Sequence, residues 1–278
     1  MFKLKSEILR EKKQKMENLI KEIETHKKKL NEVKMYKKLY IPFIIKQKYD
    51  SVIPLNLFTS WHTKHLPPLM QINYQKLVNQ HNNFTHYIFD ENECRQFIKN
   101  NFNSDILYAY DKLIPCAYKS DLWRYCVLYV YGGIYIDIKF QCVNNFNLIA
   151  LTEKEYFVKD IRNNYIYNAL ISCKKNNPIL LKCIEQIAVN VRNNYYGENS
   201  LMPTGPGLLG RYFTDDEFNN FDIYHKFTEV ENMLYEYYLI YKDRIILKMY
   251  NGYREEQKQF QKNKRYGELW DDKNIYYK

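Results

Sequence analysis

Asp121, Arg124, Tyr135, Asp137 and Lys139 fall within nineteen positions of one another, and they are the residues whose types and spacing could do chemistry. Asp121 and Arg124 are three apart in an otherwise apolar run (Ala117, Leu122, Trp123, Cys126, Val127, Leu128, Val130), so on a helix they share one face of a largely buried element. Burying a charged pair is costly unless each partner is satisfied, so such a pair needs a reason. Asp137 stands between Tyr135 and Lys139 in Ile134-Tyr135-Ile136-Asp137-Ile138-Lys139-Phe140, whose alternation predicts one strand with Tyr135, Asp137 and Lys139 on a common face. Three readings fit this spacing equally. Transfer of a sugar from a nucleoside diphosphate needs carboxylates for hydroxyl groups and positive charge at the departing diphosphate. A metal-dependent nuclease would hold its ion between Asp121 and Asp137 and use Lys139 to polarise water. A purely structural pair is the third.

Strands and helices must alternate to bring these residues together. Pro115 opens the buried helix, and Gly132-Gly133 stops it and turns the chain into the strand Ile134–Phe140. Upstream, the pattern predicts a strand at Leu55–Trp61, a helix over 69–81, a strand at His86–Phe89 and a helix over 91–101. Strands joined by helical stretches of this length indicate an α/β sheet with crossover connections. Downstream, helices are expected over 177–193 and 229–241, and Thr204-Gly205-Pro206-Gly207 reads as a rigid loop that backbone or ligand can approach closely.

Residues 1–40 form a distinct arm, with the body at 41–278. The segment 3–39 lacks Gly and Pro and carries Glu/Lys pairs four residues apart, which predicts a long helix. Phe2, Leu9, Met16, Ile23 and Leu30 recur every seven residues, a possible homo-oligomeric coiled-coil seam, although the companions Lys5, Lys12 and His26 are polar. The arm holds 13 Lys/Arg against 6 Glu, and so carries +7 of the chain's formal +10. The body is nearly balanced, which argues against a nucleic-acid partner. Six cysteines show no metal-ligand spacing and read as buried thiols in a reducing compartment. No apolar run is long enough for a signal peptide or membrane span, so an intracellular, cytoplasmic location is expected. His26, His62, His65, His81, His86 and His225 lack ligand spacing and read as ordinary.

Four blocks, in order, resemble the glycosyltransferases containing the DXD sugar-binding region. That family includes yeast-type initiating mannosyltransferases, capsular-sugar transferases of bacteria and giant viruses and, more distantly, the large glucosylating toxins. The blocks are Ile53–Pro68 with Trp61, Asn83–Ile98, Ala117–Lys139 with Lys119-Ser120-Asp121-Leu122-Trp123-Arg124-Tyr125 and Tyr131-Gly132-Gly133-Ile134-Tyr135-Ile136-Asp137, and Thr204–Gly207. The resemblance is closest over 53–140 and looser beyond. It implies a Rossmann-like, single-domain α/β fold of the GT-A type, and an enzyme moving a hexosyl or N-acetylhexosaminyl group from a nucleotide sugar to a glycan, polysaccharide or protein with retention of configuration. By position, Trp61 would stack on the base, and Asp121 and Arg124 would hold sugar hydroxyls and the diphosphate side. Tyr135 would pack near the ribose, and Asp137 would bind ribose and assist a divalent metal, Mn2+ or Mg2+. Gly205 and Pro206 would border the sugar pocket, and Trp270 would donate its indole N–H to the β-phosphate. Lys139 stands where the family's second DXD carboxylate is expected. A charge reversal there should loosen the metal, leaving Asp137 with Glu268 as a second ligand, or let Lys139 serve as the diphosphate's counter-charge, or mark a degenerate, non-catalytic member.

Overall fold

Gly132 and Gly133 occupy a corner where a side chain has no room. A Cβ on Gly132 (φ 63°) would meet the Lys175 amide nitrogen at 2.5 Å, and one on Gly133 (φ 124°) the Asn56 carbonyl oxygen at 2.5 Å. That corner ends α5 (Cys116–Tyr131) and starts β3 (Gly133–Ile136) in the computed structural model, which describes residues 2–231 and 234–278, with side chains for 10–229 and 235–278. β3 is the third member of a parallel core with β1 (Asn56–Ser60) and β2 (Thr85–Phe89). β6 (Leu170–Cys173) joins it antiparallel, so the sheet order is β2-β1-β3-β6.

The crossovers are helices α2 (Pro68–Gln80), α3 (Glu91–Asn101), α4 (Ser104–Lys112) and α5. Their starts are written locally: Asp90 and Glu93 make a reciprocal capping box on α3, and Asn103 accepts the amides of Asp105 and Ile106 at α4. α6 (Pro178–Arg192), capped by Asn177, packs on α4 and α5 over a core of Trp123, Tyr125, Cys126, Ile184 and Ile187. The α/β class expected from the sequence is therefore the one observed.

Two expected elements are different. The strand Ile134–Phe140 breaks after Ile136, where the Phe140 amide bonds to the Asp137 carbonyl at 3.0 Å in a tight turn, and β4 (Phe140–Cys142) enters a second sheet. The helix expected over 229–241 is a hairpin of β7 (Ile223–Glu231) and β8 (Leu234–Tyr241). Aromatic and β-branched residues at alternate positions favour a pleated surface over the helix-forming Glu and Leu between them. With β5 (Val158–Lys159) and β9 (Arg244–Met249) the order is β4-β9-β8-β7-β5. α4 was not anticipated, and Pro206 opens a short helix, α7 (Pro206–Gly210), where a loop was expected.

The arm is α1 (Phe2–Lys38). Its C-terminal turn docks through Tyr36 on Tyr238, Ile240 and Ile245, covering one face of β7–β9. Met16, Ile23 and Leu30 of the seven-residue seam are exposed, while the side chains of Phe2, Lys5 and Leu9 lie outside the described residues. The last elements are α8 (Asp215–Asn219), α9 (Tyr253–Phe260) and α10 (Tyr266–Asp271). Glu256 of α9 is buried and accepts the Leu69 and Met70 amides (2.7 and 2.9 Å) and the Tyr250 hydroxyl (2.7 Å), so a carboxylate far along the chain caps α2.

Candidate active site

The Asp137–Lys139 turn lies where the two sheets meet, and four hydrogen bonds hold its backbone. The Asp137 amide donates to Ala169, the Tyr250 amide donates to the Lys139 carbonyl (3.0 Å), and the buried Asn73 donates to the carbonyls of Ile138 and Phe140 (3.0 and 2.9 Å). A rigid backbone fixes the side chains. Asp137 Oδ1 accepts the Tyr135 hydroxyl at 2.8 Å and lies 3.4 Å from Arg124 Nη1, and its Oδ2 sits 2.5 Å from Lys139 Nζ. Burial alone would raise the Asp137 pKa, but the charges of Lys139 and Arg124 outweigh it and hold the carboxyl below its ordinary value. Lys139 moves the opposite way: burial works against its charge, Asp137 more than compensates, and it remains firmly an ammonium.

From α5, Asp121 and Arg124 face this turn from within the core, 7% and 5% exposed. Arg124 is 3.3 Å from Asp121, donates to the Asn168 carbonyl (2.7 Å) and to Ser120, and lies over the Tyr135 ring at 4.4 Å. Asp121 accepts from Asn168 Nδ2 (2.9 Å) and the Thr204 hydroxyl (2.8 Å). Desolvation pushes its pKa up, against the pull of Arg124, Thr204 and Asn168. Gly205 packs so closely that a Cβ there would lie 3.0 Å from Asp121 Oδ2. The buried pair is thus satisfied on every side, as the cost of burying it requires.

These groups line one side of a cavity of about 680 Å³ at the carboxyl ends of β1 and β3, the usual ligand position in an α/β sheet. Trp61, Tyr135, Lys139, Gly205 and Pro206 line it with Asp121, Arg124 and Asp137, so eight of the residues singled out by sequence converge there. The Trp61 indole N–H is buried without a hydrogen-bond partner among the described residues. Eight cationic side chains line the cavity against four carboxylates, and among the described residues Arg162, Arg254 and Arg265 have no carboxylate within ion-pair distance. An anion is the ligand such a wall favours.

Two expected residues stay away. Trp270 is not in the cavity wall, because its indole N–H donates to the Tyr196 carbonyl at 2.7 Å and Lys273 covers its ring. Glu268 is exposed and occupied in capping α10 through the Arg265 amide (3.0 Å). No group of three or more His, Cys, Asp or Glu side chains among the described residues is placed to hold a metal. The nuclease geometry fails for a related reason: the Arg124 guanidinium stands between Asp121 and Asp137, where the shared ion would have to sit.

Asn73, Asn168, Thr204 and His225 were not found by sequence reasoning as site residues. An isolated Asn carries no spacing signal, and Thr204 was noted only as part of its loop. His225 read as ordinary, yet it is buried in the cavity wall with neither ring nitrogen hydrogen-bonded among the described residues.

Residues 67–157 match the glycosyltransferase sugar-binding region containing the DXD motif. An uncharacterized glycosyltransferase of Acanthamoeba polyphaga mimivirus is 34% identical over 99 residues, 34% of this chain and 39% of that protein. Inositol phosphoceramide mannosyltransferase 3 of Schizosaccharomyces pombe is 25% identical over 161 residues, 58% of this chain and 44% of the relative. A mannosyl phosphorylinositol ceramide synthase of Saccharomyces cerevisiae is also 25% identical, over 56% of this chain and 41% of its own. The chain thus spans less than half the length of these curated relatives. Among solved structures, the PaToxG glycosyltransferase aligns with a TM-score of 0.46 at 17% identity, covering 68% of this chain and 78% of that one.

Proposed function

We propose that this chain, which carries the sugar-binding region of the DXD glycosyltransferases at residues 67–157, moves a sugar from a UDP- or GDP-sugar to a hydroxylated acceptor with retention of configuration. The observation that carries this reading is the cationic cavity in which the satisfied Asp121/Arg124 pair faces the Asp137–Lys139 turn. Two of the relatives above are named for mannosyl transfer to an inositol phosphoceramide, so a mannosyl donor is the first to test. Trp61 is the base platform in this reading, and Tyr135 and Asp137 form the ribose side. Asp121, held by Asn168 and Thr204, presents its remaining lone pairs to the donor sugar beside Gly205 and Pro206.

The DXD motif generally goes with a divalent metal, and the residues here do not fit one. The first carboxylate is saturated by a hydroxyl, a guanidinium and an ammonium, and the second is replaced by that ammonium. A dication set against Asp137 would meet Lys139 at contact distance, a repulsion that solvent cannot fully screen in a buried site. Lys139 and Arg124, with Arg254 and Arg265 across the cavity, supply the positive charge for the departing diphosphate. Such fixed charge stabilises developing anion without reorganisation.

Donor hydrolysis tests the reading. UDP or GDP is expected to be released slowly from a nucleotide sugar, equally with excess EDTA or Mn2+, and Asp137→Ala is expected to abolish release. If a full donor panel gives neither nucleotide binding nor release, the chain is a degenerate member.

A further inference from the structure

The hairpin β7–β8 has two faces, and α1 covers only one. On the other, the strand register sets His225 opposite Leu239 and Phe227 opposite Tyr237, and this face turns into the cavity. The rings form a continuous series. Tyr167 stacks on His225 (centroids 3.7 Å apart, planes at 17°), His225 on Tyr237 (5.9 Å, 28°), and Tyr237 contacts Phe227 at 5.8 Å. At its inner end Lys139 Nζ lies 5.3 Å from the Tyr167 ring, so the series begins at the Asp137–Lys139 turn. At its outer end Phe227 is 46% and Tyr235 40% exposed, with their rings in edge contact. Flat apolar rings left exposed along a wet cavity mark a binding surface.

His225 says what kind of ligand the surface fits. The side chain is 8% exposed, yet neither ring nitrogen has a hydrogen-bond partner among the described residues; Asp160 lies 3.8 Å from Nδ1, too far for a hydrogen bond. A buried polar group left this way costs about 1–3 kcal/mol until something fills its valences. Desolvation lowers its pKa, so the ring is neutral and offers one donor and one acceptor. An acyl chain would leave both nitrogens unpaired, and an anion would find the donor but not use the acceptor. A hydroxyl satisfies either nitrogen.

We propose that the His225–Tyr237–Phe227 face of β7 and β8 is the acceptor subsite, and that the acceptor presents a saccharide ring there. Its C–H face lies on the electron-rich faces of Tyr237 and Phe227, and a hydroxyl reaches His225. The inference rests on the glycosyltransferase reading for its catalytic meaning, but the binding site is tested independently of it. An array of hexose and N-acetylhexosamine oligosaccharides, probed with the labelled full-length chain, should give binding to at least one class. Phe227→Ala and Tyr237→Ala should each weaken that binding about tenfold, the single-residue scale of an interface anchor. His225→Asn, which keeps a donor and an acceptor, should weaken it less than His225→Leu. UDP or GDP affinity, whichever the parent binds, should stay within about twofold in Phe227→Ala, whose ring contacts are Tyr235 and Tyr237, whereas Tyr237 has Arg254 over its ring at 5.9 Å and is left out of this comparison. Oligosaccharide binding without any nucleotide binding would sink the donor reading and leave this site standing. Nucleotide binding with no oligosaccharide bound, or oligosaccharide binding untouched by the ring variants, overturns the subsite. Loss of nucleotide affinity in Phe227→Ala would also overturn it, assigning the face to the donor.

Discussion

Lys139 decides the electrostatics at the scale of single residues. In Lys139→Ala the Asp137 carboxylate loses its closest cation, and donor hydrolysis should fall by about 10²–10³ in kcat, the range for removing one fixed stabiliser of a developing anion. Lys139→Asp should create the carboxylate pair that a divalent ion needs. Isothermal titration should then detect Mn2+ binding that the parent lacks, and strong Mn2+ binding by the parent would contradict the role given to Lys139. Gly205 is a finer probe. A methyl group there forces the Asp121 carboxylate to move by a few tenths of an ångström, so Gly205→Ala should lower kcat by about tenfold with little change in thermal stability, as small misplacements cost rate before fold. Asp121, Arg124 and Asp137 were legible because charge in an apolar or alternating run is conspicuous. Their partners Asn168 and Thr204 were not, because they come from segments more than forty residues away and act only through three-dimensional proximity.

The break between β3 and β4 shows what pattern can and cannot say about elements. Alternation through Phe140 predicted one strand, and this holds only as far as Ile136, because period alone does not reveal that residues 137–139 turn from one sheet to the next. The common face expected for Tyr135, Asp137 and Lys139 comes from that turn rather than from pleat geometry. Its anchor is Asn73, which bonds two carbonyls of the turn from inside α2. Asn73→Ala should cost about 1–3 kcal/mol by leaving those carbonyls unpaired, visible in denaturant unfolding as a lower midpoint with unchanged m. The 229–241 segment failed as a helix because long, strand-favouring tyrosines decide its pairing, and their partners lie on strands before and after it. α1 poses the opposite case, since its existence was legible and only its C-terminal turn packs on the body's aromatic cluster. Met16, Leu19, Ile20, Ile23 and Leu30 stay exposed along it. We propose that a second copy covers this stripe, so removing residues 1–30 should convert a dimer to a monomer by light scattering while nucleotide affinity is unchanged. A parent that is monomeric at all concentrations would refute this.

Across the whole molecule, acid should act mainly through buried histidine. His81 is 1% exposed, placed between Asn147 Oδ1 and Cys142 Sγ, and burial lowers its pKa to about 4. The unfolded chain binds a proton there near pH 6.5 and the folded one does not, so stability is full above pH 6.5 and falls as pH drops toward 4. The loss is on the order of 3 kcal/mol from this residue, and His81→Gln should flatten the pH dependence of the melting temperature across that window. His62 and His225 are shifted the same way by burial and add to the slope.

The cavity wall also has a temporal meaning. It is built from Trp61 near one end of the chain, Asp137 at the middle and Arg265 and Tyr266 near the other end, and Glu256 ties α9 back to the first turn of α2. During synthesis the parallel sheet can form once β3 has emerged, but the pocket cannot close until α9 reaches α2. Ligand competence therefore follows the sheet during synthesis, and it should be lost before the sheet when α9 peels away.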